Sequence, residues 1–116
     1  FLGVLRPMAN VSSIAVYCGS KAGTSPAYVE AARELGRGMV ARGVDLVFGG
    51  GRVGIMGEIA DTILEGGGKV TGVIPHFLDE LEVGHEKVTE LIRVDNMHIR
   101  KATMFNRADA FVILPG

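Results

Sequence analysis

Two stretches of this chain carry residue types and spacings suited to chemistry. The first is Gly49-Gly50-Gly51-Arg52-Val53-Gly54, a glycine-rich turn between an apolar run and a helical pattern. Glycines let the backbone approach a phosphate closely. A helix that opens after such a turn presents free N–H groups and a partial positive charge. The second stretch is Met97 to Arg107, where Arg100 and Lys101 follow Met97 by three and four residues and Met104 follows by seven. At that spacing these side chains share one helix face, which Arg107 extends. No Asp or Glu lies between Asn96 and Ala108 to neutralise the three cations. An anionic ligand is one reading of that face. A solvated basic face with snorkelling stems is the other. The glycines likewise suit either a phosphate cradle or tight strand–helix turns that need glycine anyway.

Other candidates carry weaker signals. Gly49-x-Gly51-x-x-Gly54 formally matches the dinucleotide fingerprint, but it follows the second strand rather than the first. Pro75-His76 stands where an acidic residue would grip the ribose. A P-loop fails as well: Ile63 occupies the upstream glycine position of Gly68-Lys69, and Val70 replaces Ser or Thr. Ser20 offers a hydroxyl at the mouth of the first strand–helix turn, where open α/β sheets bind ligands; turn capping is its alternative role. Cys18 reads as a small buried residue rather than a reactive thiol. His76, His85 and His98 lack metal-ligand spacing, and no second cysteine supports zinc, so no metal site is expected. The acidic stretch Asp79, Glu80, Glu82 and Glu86 reads as a solvated face.

These residues need a scaffold, and the pattern supplies one. Ser13 to Cys18, Val44 to Phe48, Lys69 to Ile74, Val88 to Val94 and Ala110 to Leu114 are short apolar runs that read as strands. Ser25 and Pro26 open a helix as cap and first position, and Gly43 ends it. Gly36 and Gly38 inside that helix each cost about 1 kcal/mol relative to Ala, which close packing on a sheet would explain. Ile55, Ile59, Ile63 and Leu64 mark a second helix, stopped by Gly66-Gly67-Gly68. Phe77, Leu78 and Leu81 hint at a short helix in the less clear segment His76 to Lys87. Asp95 or Asn96 can cap the helix Met97 to Arg107. Strand–helix alternation with continuous apolar strands predicts an α/β fold, a parallel sheet of about five strands with helices on both faces. Gly19-Ser20, Gly49 to Gly54 and Pro115-Gly116 are expected together at the carboxyl ends of its strands. Residues 1–12 are expected to be an N-terminal extension, with Met8 a candidate start, and residues 13–116 one nucleotide-binding domain. Neither an internal repeat nor a linker is evident.

Composition narrows the partners. Glycine accounts for 17 of 116 residues, about twice the average share, and it clusters at the strand–helix junctions. A net charge of −1 argues against nucleic acid or a membrane surface as the main partner. One cysteine excludes an intrachain disulfide framework and fits a reducing, cytoplasmic compartment. No apolar run approaches the roughly 20 residues that span a bilayer.

Taken together, the segments resemble the LOG family, cytokinin-activating phosphoribohydrolases often labelled lysine decarboxylase-like. The resemblance rests on Cys18-Gly19-Ser20, the run Gly49 to Gly57, Met97-His98-Ile99-Arg100-Lys101, and Phe111 to Gly116, in the family's order. It implies a Rossmann-like fold and a homodimer with active sites near the subunit interface. It implies hydrolysis of the N-glycosidic bond of a nucleoside 5′-monophosphate, a cytokinin nucleotide or AMP, to free base and ribose 5-phosphate. No metal, pyridoxal phosphate or other cofactor is implied. Arg100 matches the family's catalytic arginine. Gly19, Ser20, Gly49, Gly50, Gly51, Gly54, Met56, Met97, Arg100, Lys101, Pro115 and Gly116 are the implied substrate-binding positions. The family's PGGxGTxxE motif begins at Pro115-Gly116, and its Gly-Thr and catalytic Glu have no counterpart in the sequence. Partial binding, without turnover, is therefore the expectation for the 116-residue chain itself. A non-catalytic nucleotide-binding or carrier protein of the same fold is the alternative.

Overall fold

A computed structural model of the chain describes residues 11–18 and 25–114. The elements alternate: β1 (Ser13–Tyr17), α1 (Pro26–Ala41), β2 (Asp45–Phe48), α2 (Gly54–Glu65), β3 (Val70–Pro75), α3 (His76–Glu82), β4 (Glu90–Val94), α4 (Met97–Arg107) and β5 (Ala110–Ile113). The five strands form one sheet in the order β4-β3-β2-β1-β5. Every pairing is parallel; Ala15, for example, sits beside Val47 on one side and Phe111 on the other. The chain steps outward from β1 to β4, then returns through α4 to the far side of β1. This places the switch in strand order between β1 and β5, and open α/β sheets bind ligands outside the carboxyl ends at such a point.

Alternation along each strand splits the core into two layers. Ile14, Val16, Leu46, Phe48, Val70 and Val112 pack toward Ala32 and Met39 of α1 and toward Ile55, Ile59 and Ile63 of α2. Ala15, Val47, Val73 and Val94 face the other way, onto Met104 of α4. That second layer is thinner. Phe105 and Phe111 stack at 5.2 Å yet stay largely exposed, and Ile113 is 80% exposed.

The caps follow the sequence signals. The Ser25 hydroxyl accepts from the Ala27 N–H with Pro26 at the first helical position, and Asn96 rather than Asp95 caps α4 by accepting from the Ile99 N–H. The glycines of α1 need a different account from close packing on the sheet. Gly36 packs on α2, where an added Cβ would lie 3.0 Å from Thr62 Cγ2. A Cβ at Gly38 would meet only Arg42 Nη1 at 3.7 Å, so nothing in the structure explains that glycine.

At the opposite end of the sheet from the glycine turn, one carboxylate ties β1 to β5. The Ser12 N–H and hydroxyl and the Ser13 N–H donate to Asp109 Oδ2 at 2.8, 3.0 and 3.2 Å. Backbone and side-chain donation from Ser12, then the Ser13 N–H, hold the Asp109 carboxyl below its ordinary value of 3.8. A depressed folded-state value means that this group stabilises the fold above the unfolded value and loses that effect as pH falls through the folded one. Asp109→Ala should therefore melt earlier than the parent near neutral pH, with the gap narrowing as pH falls below the carboxyl's ordinary value of 3.8. A gap of the same size at both pH values would show that the carboxylate charge is not involved.

Candidate functional site

The site forms where the carboxyl ends of β2 and β3 meet the first turns of α4. Arg100 is the third residue after Met97, which opens α4, and the helix turns its side chain inward over the sheet. It is only 8% exposed. Its Nε donates to the Val73 carbonyl at 2.9 Å, its Nη2 to the Gly49 carbonyl, and its Nη1 lies 3.7 Å from Met97 Sδ. An arginine stays protonated, and burying its charge costs several kcal/mol unless polar groups solvate it. Two carbonyl dipoles at the strand ends meet that need and fix the plane of the guanidinium.

Gly49 exists for this contact. A Cβ there would lie 2.5 Å from Arg100 Nη2 and 2.9 Å from the sulfur of Met56, a buried residue of α2. Gly49→Ala should destabilise the fold by about 1–3 kcal/mol, as overpacking of a filled site does. Urea titration of the two proteins measures it; equal midpoints would contradict the close approach. Gly50 follows with φ +85°, a left-handed conformation that favours glycine. Its carbonyl accepts from the His85 N–H at 2.8 Å, and the Arg52 N–H donates to the Val83 carbonyl at 2.9 Å. Gly51 and Gly84 form an antiparallel bridge between these two bonds. The turn is thus paired along one edge with residues 83–85. Val53 precedes α2 and supplies no side-chain cap to the first N–H groups of that helix.

The three cations of α4 part company. Arg100 is buried with Met104, Lys101 is exposed, and the exposed Arg107 donates from Nη1 to Glu90 Oε1 at 3.2 Å. The expected face of three unpaired cations is therefore corrected: Arg107 has its partner on β4, and Arg100 turns into the protein. The acidic stretch is corrected too. Arg93 donates from Nε to Asp79 at 2.6 Å and from Nη2 to Glu86 at 3.0 Å. The Asp79 hydrogen bond, more than the neighbouring charges, raises Arg93 above its ordinary value.

Of the other expected site residues, Gly50, Gly51, Gly54 and Met56 gather around the turn, and Met97 flanks Arg100. Gly19, Ser20, Pro115 and Gly116 lie outside the described residues. Cys18 is half-buried against the core, and His76 and His98 are exposed. Tyr17, beside the switch at the end of β1, has its phenol pushed up by burial, so it remains a neutral donor. Residue types alone did not point to the Val73 carbonyl, a main-chain group, or to His85. A buried histidine beside the glycine turn becomes visible only once residues 83–85 are paired with it.

Residues 56–116 match a family model described as possible lysine decarboxylase. A probable cytokinin riboside 5'-monophosphate phosphoribohydrolase of Oryza sativa subsp. japonica is 53% identical over 103 residues, covering 89% of this chain and 45% of that protein. A cytokinin riboside 5'-monophosphate phosphoribohydrolase of Arabidopsis thaliana is 48% identical over 103 residues, covering 89% of this chain and 48% of the other. The chain spans about half the length of the curated relatives it matches. Among solved structures, the Moco carrier protein from Chlamydomonas reinhardtii superposes with a TM-score of 0.75 at 25% identity, covering 90% of this chain and 62% of that one.

Proposed function

The chain belongs to the LOG family, and from that premise we propose that the full-length protein hydrolyses the N-glycosidic bond of a nucleoside 5′-monophosphate, a cytokinin nucleotide or AMP, to free base and ribose 5-phosphate. The observation that carries this reading is Arg100, a permanent positive charge held by the Gly49 and Val73 carbonyls beside a glycine turn at the carboxyl end of a parallel sheet. Water adds to C1′ of the ribose as the bond to the base nitrogen breaks. The electron pair leaves with the base, which takes up a proton. Positive charge develops on the ribose and negative charge on the base. Arg100 stabilises the departing base or holds the phosphate, and a carboxylate stabilises the ribose. Phosphate binding away from the bond supplies orientation.

In this reading Gly19, Ser20, Gly49, Gly50, Gly51, Gly54, Met56, Met97, Lys101, Pro115 and Gly116 line the substrate with Arg100, on a domain of residues 13–116. No metal or cofactor takes part. The protein works as a cytoplasmic homodimer, and the exposed Phe105, Phe111 and Ile113 support a partner on the α4 side of the sheet. Among the described residues, no helix is long and apolar enough to cross a membrane.

A second reading, a nucleotide-binding or carrier protein without turnover, is favoured by the likeness to the Moco carrier protein. The purified full-length protein incubated with isopentenyladenosine monophosphate, and separately with AMP, distinguishes the two. Equimolar free base and ribose 5-phosphate on chromatography is the expected result. Saturable binding with no product would favour the carrier.

A further inference from the structure

His85 has no part in the reaction described above, yet it is among the most constrained side chains near the site. It is 3% exposed. Its Nε2 lies 2.7 Å from Asp61 Oδ1 on α2, and its Nδ1 accepts from the Lys87 N–H at 3.2 Å. A backbone N–H can only donate, so Nδ1 presents a lone pair and the ring proton sits on Nε2, donating to Asp61. The main chain of the same residue donates to the Gly50 carbonyl. His85 therefore joins three parts: the glycine turn through its N–H, α2 through its ring, and the loop after α3 through Nδ1. Arg93 braces that loop from β4, reaching Asp79 and Glu86 on either side of Gly84. The turn held in this way begins at Gly49, whose carbonyl accepts from Arg100.

We infer that His85, oriented by Asp61, is a positioning residue that sets the Gly49–Arg52 backbone and through it the guanidinium of Arg100. The inference rests on the proposed hydrolysis for its kinetic consequence, but not for its structural one. Asp61 is 57% exposed, which makes it the safer position to alter. Asp61→Ala removes the acceptor of the ring proton. Asp61→Asn keeps an oxygen acceptor and loses only the charge.

The test has two readouts on the purified full-length protein. The first is NMR. Nitrogen shifts of the His85 ring should report the Nε2–H tautomer, and Asp61→Ala should move the amide resonances of Gly50, Gly51 and Arg52 and the Arg100 Nε–H signal. The second is kinetic, per folded molecule. Asp61→Ala should lower kcat on the order of 10- to 100-fold, the scale of small displacements of catalytic groups, with KM changed far less. Asp61→Asn should recover most of that loss. A residue that served stability alone would shift the melting point and leave kcat of the folded fraction unchanged, and that result would overturn the inference. So would Asp61→Asn falling as far as Asp61→Ala. If the parent protein releases no base, the hydrolase reading fails, and the resonance shifts then decide the positioning claim by themselves: unmoved Arg52 and Arg100 signals would overturn it.

Discussion

Replacing Arg100 by alanine in the full-length protein is expected to lower turnover by roughly 10²- to 10⁴-fold, the range spanned by single groups that act in a bond-breaking step. The expectation comes from where the charge sits. Its Nε and Nη2 are occupied by the Val73 and Gly49 carbonyls, so the guanidinium plane is set before substrate arrives, and the cation need not be reorganised as charge develops on the base. The same bonds join α4 to the ends of β2 and β3. Truncation therefore also leaves two carbonyls without this donor, at about 1–3 kcal/mol for each group left unsatisfied. Turnover must be expressed per folded molecule, with the folded fraction measured by circular dichroism. Arg100→Lys provides the complement. It keeps a positive charge but lacks the planar fork that reaches both carbonyls, so it should fall between the parent and the alanine variant. Undiminished turnover in folded Arg100→Ala would remove Arg100 from the reaction.

Much of the scaffold was legible because apolar runs and glycine junctions are local signals. Each expected strand appears, Asn96 caps α4, and Pro26 opens α1. The segment from His76 was less legible because α3 is one short helix that leaves Phe77 and Leu81 exposed, so it lacks a clean apolar face. The site was legible in outline only. The spacing of Gly49 to Gly54 announces a turn, but the reason for Gly49 is a guanidinium that arrives from a residue 51 positions later. Likewise, a search for countercharges within α4 does not reach Glu90, 17 positions before Arg107 on β4. His85 stood alone in the sequence because its partners, Gly50 and Asp61, come to it only through the pairing of residues 83–85 with the turn. In each case the missing information was a long-range contact, and two of the four, those to the Gly49 and Gly50 carbonyls, end on main-chain atoms that residue type does not encode.

The 5′-phosphate of the substrate is what the proposed hydrolysis depends on most directly. The measurement is kcat/KM for base release from AMP and from adenosine, taken with one preparation of the full-length protein. Two charge-assisted hydrogen bonds to a phosphate, at about 1.5–3 kcal/mol each, correspond to a preference of roughly 10²- to 10⁴-fold for the monophosphate. The proposed hydrolysis predicts a preference in that range, with little or no base released from adenosine. Equal rates for AMP and adenosine would contradict it.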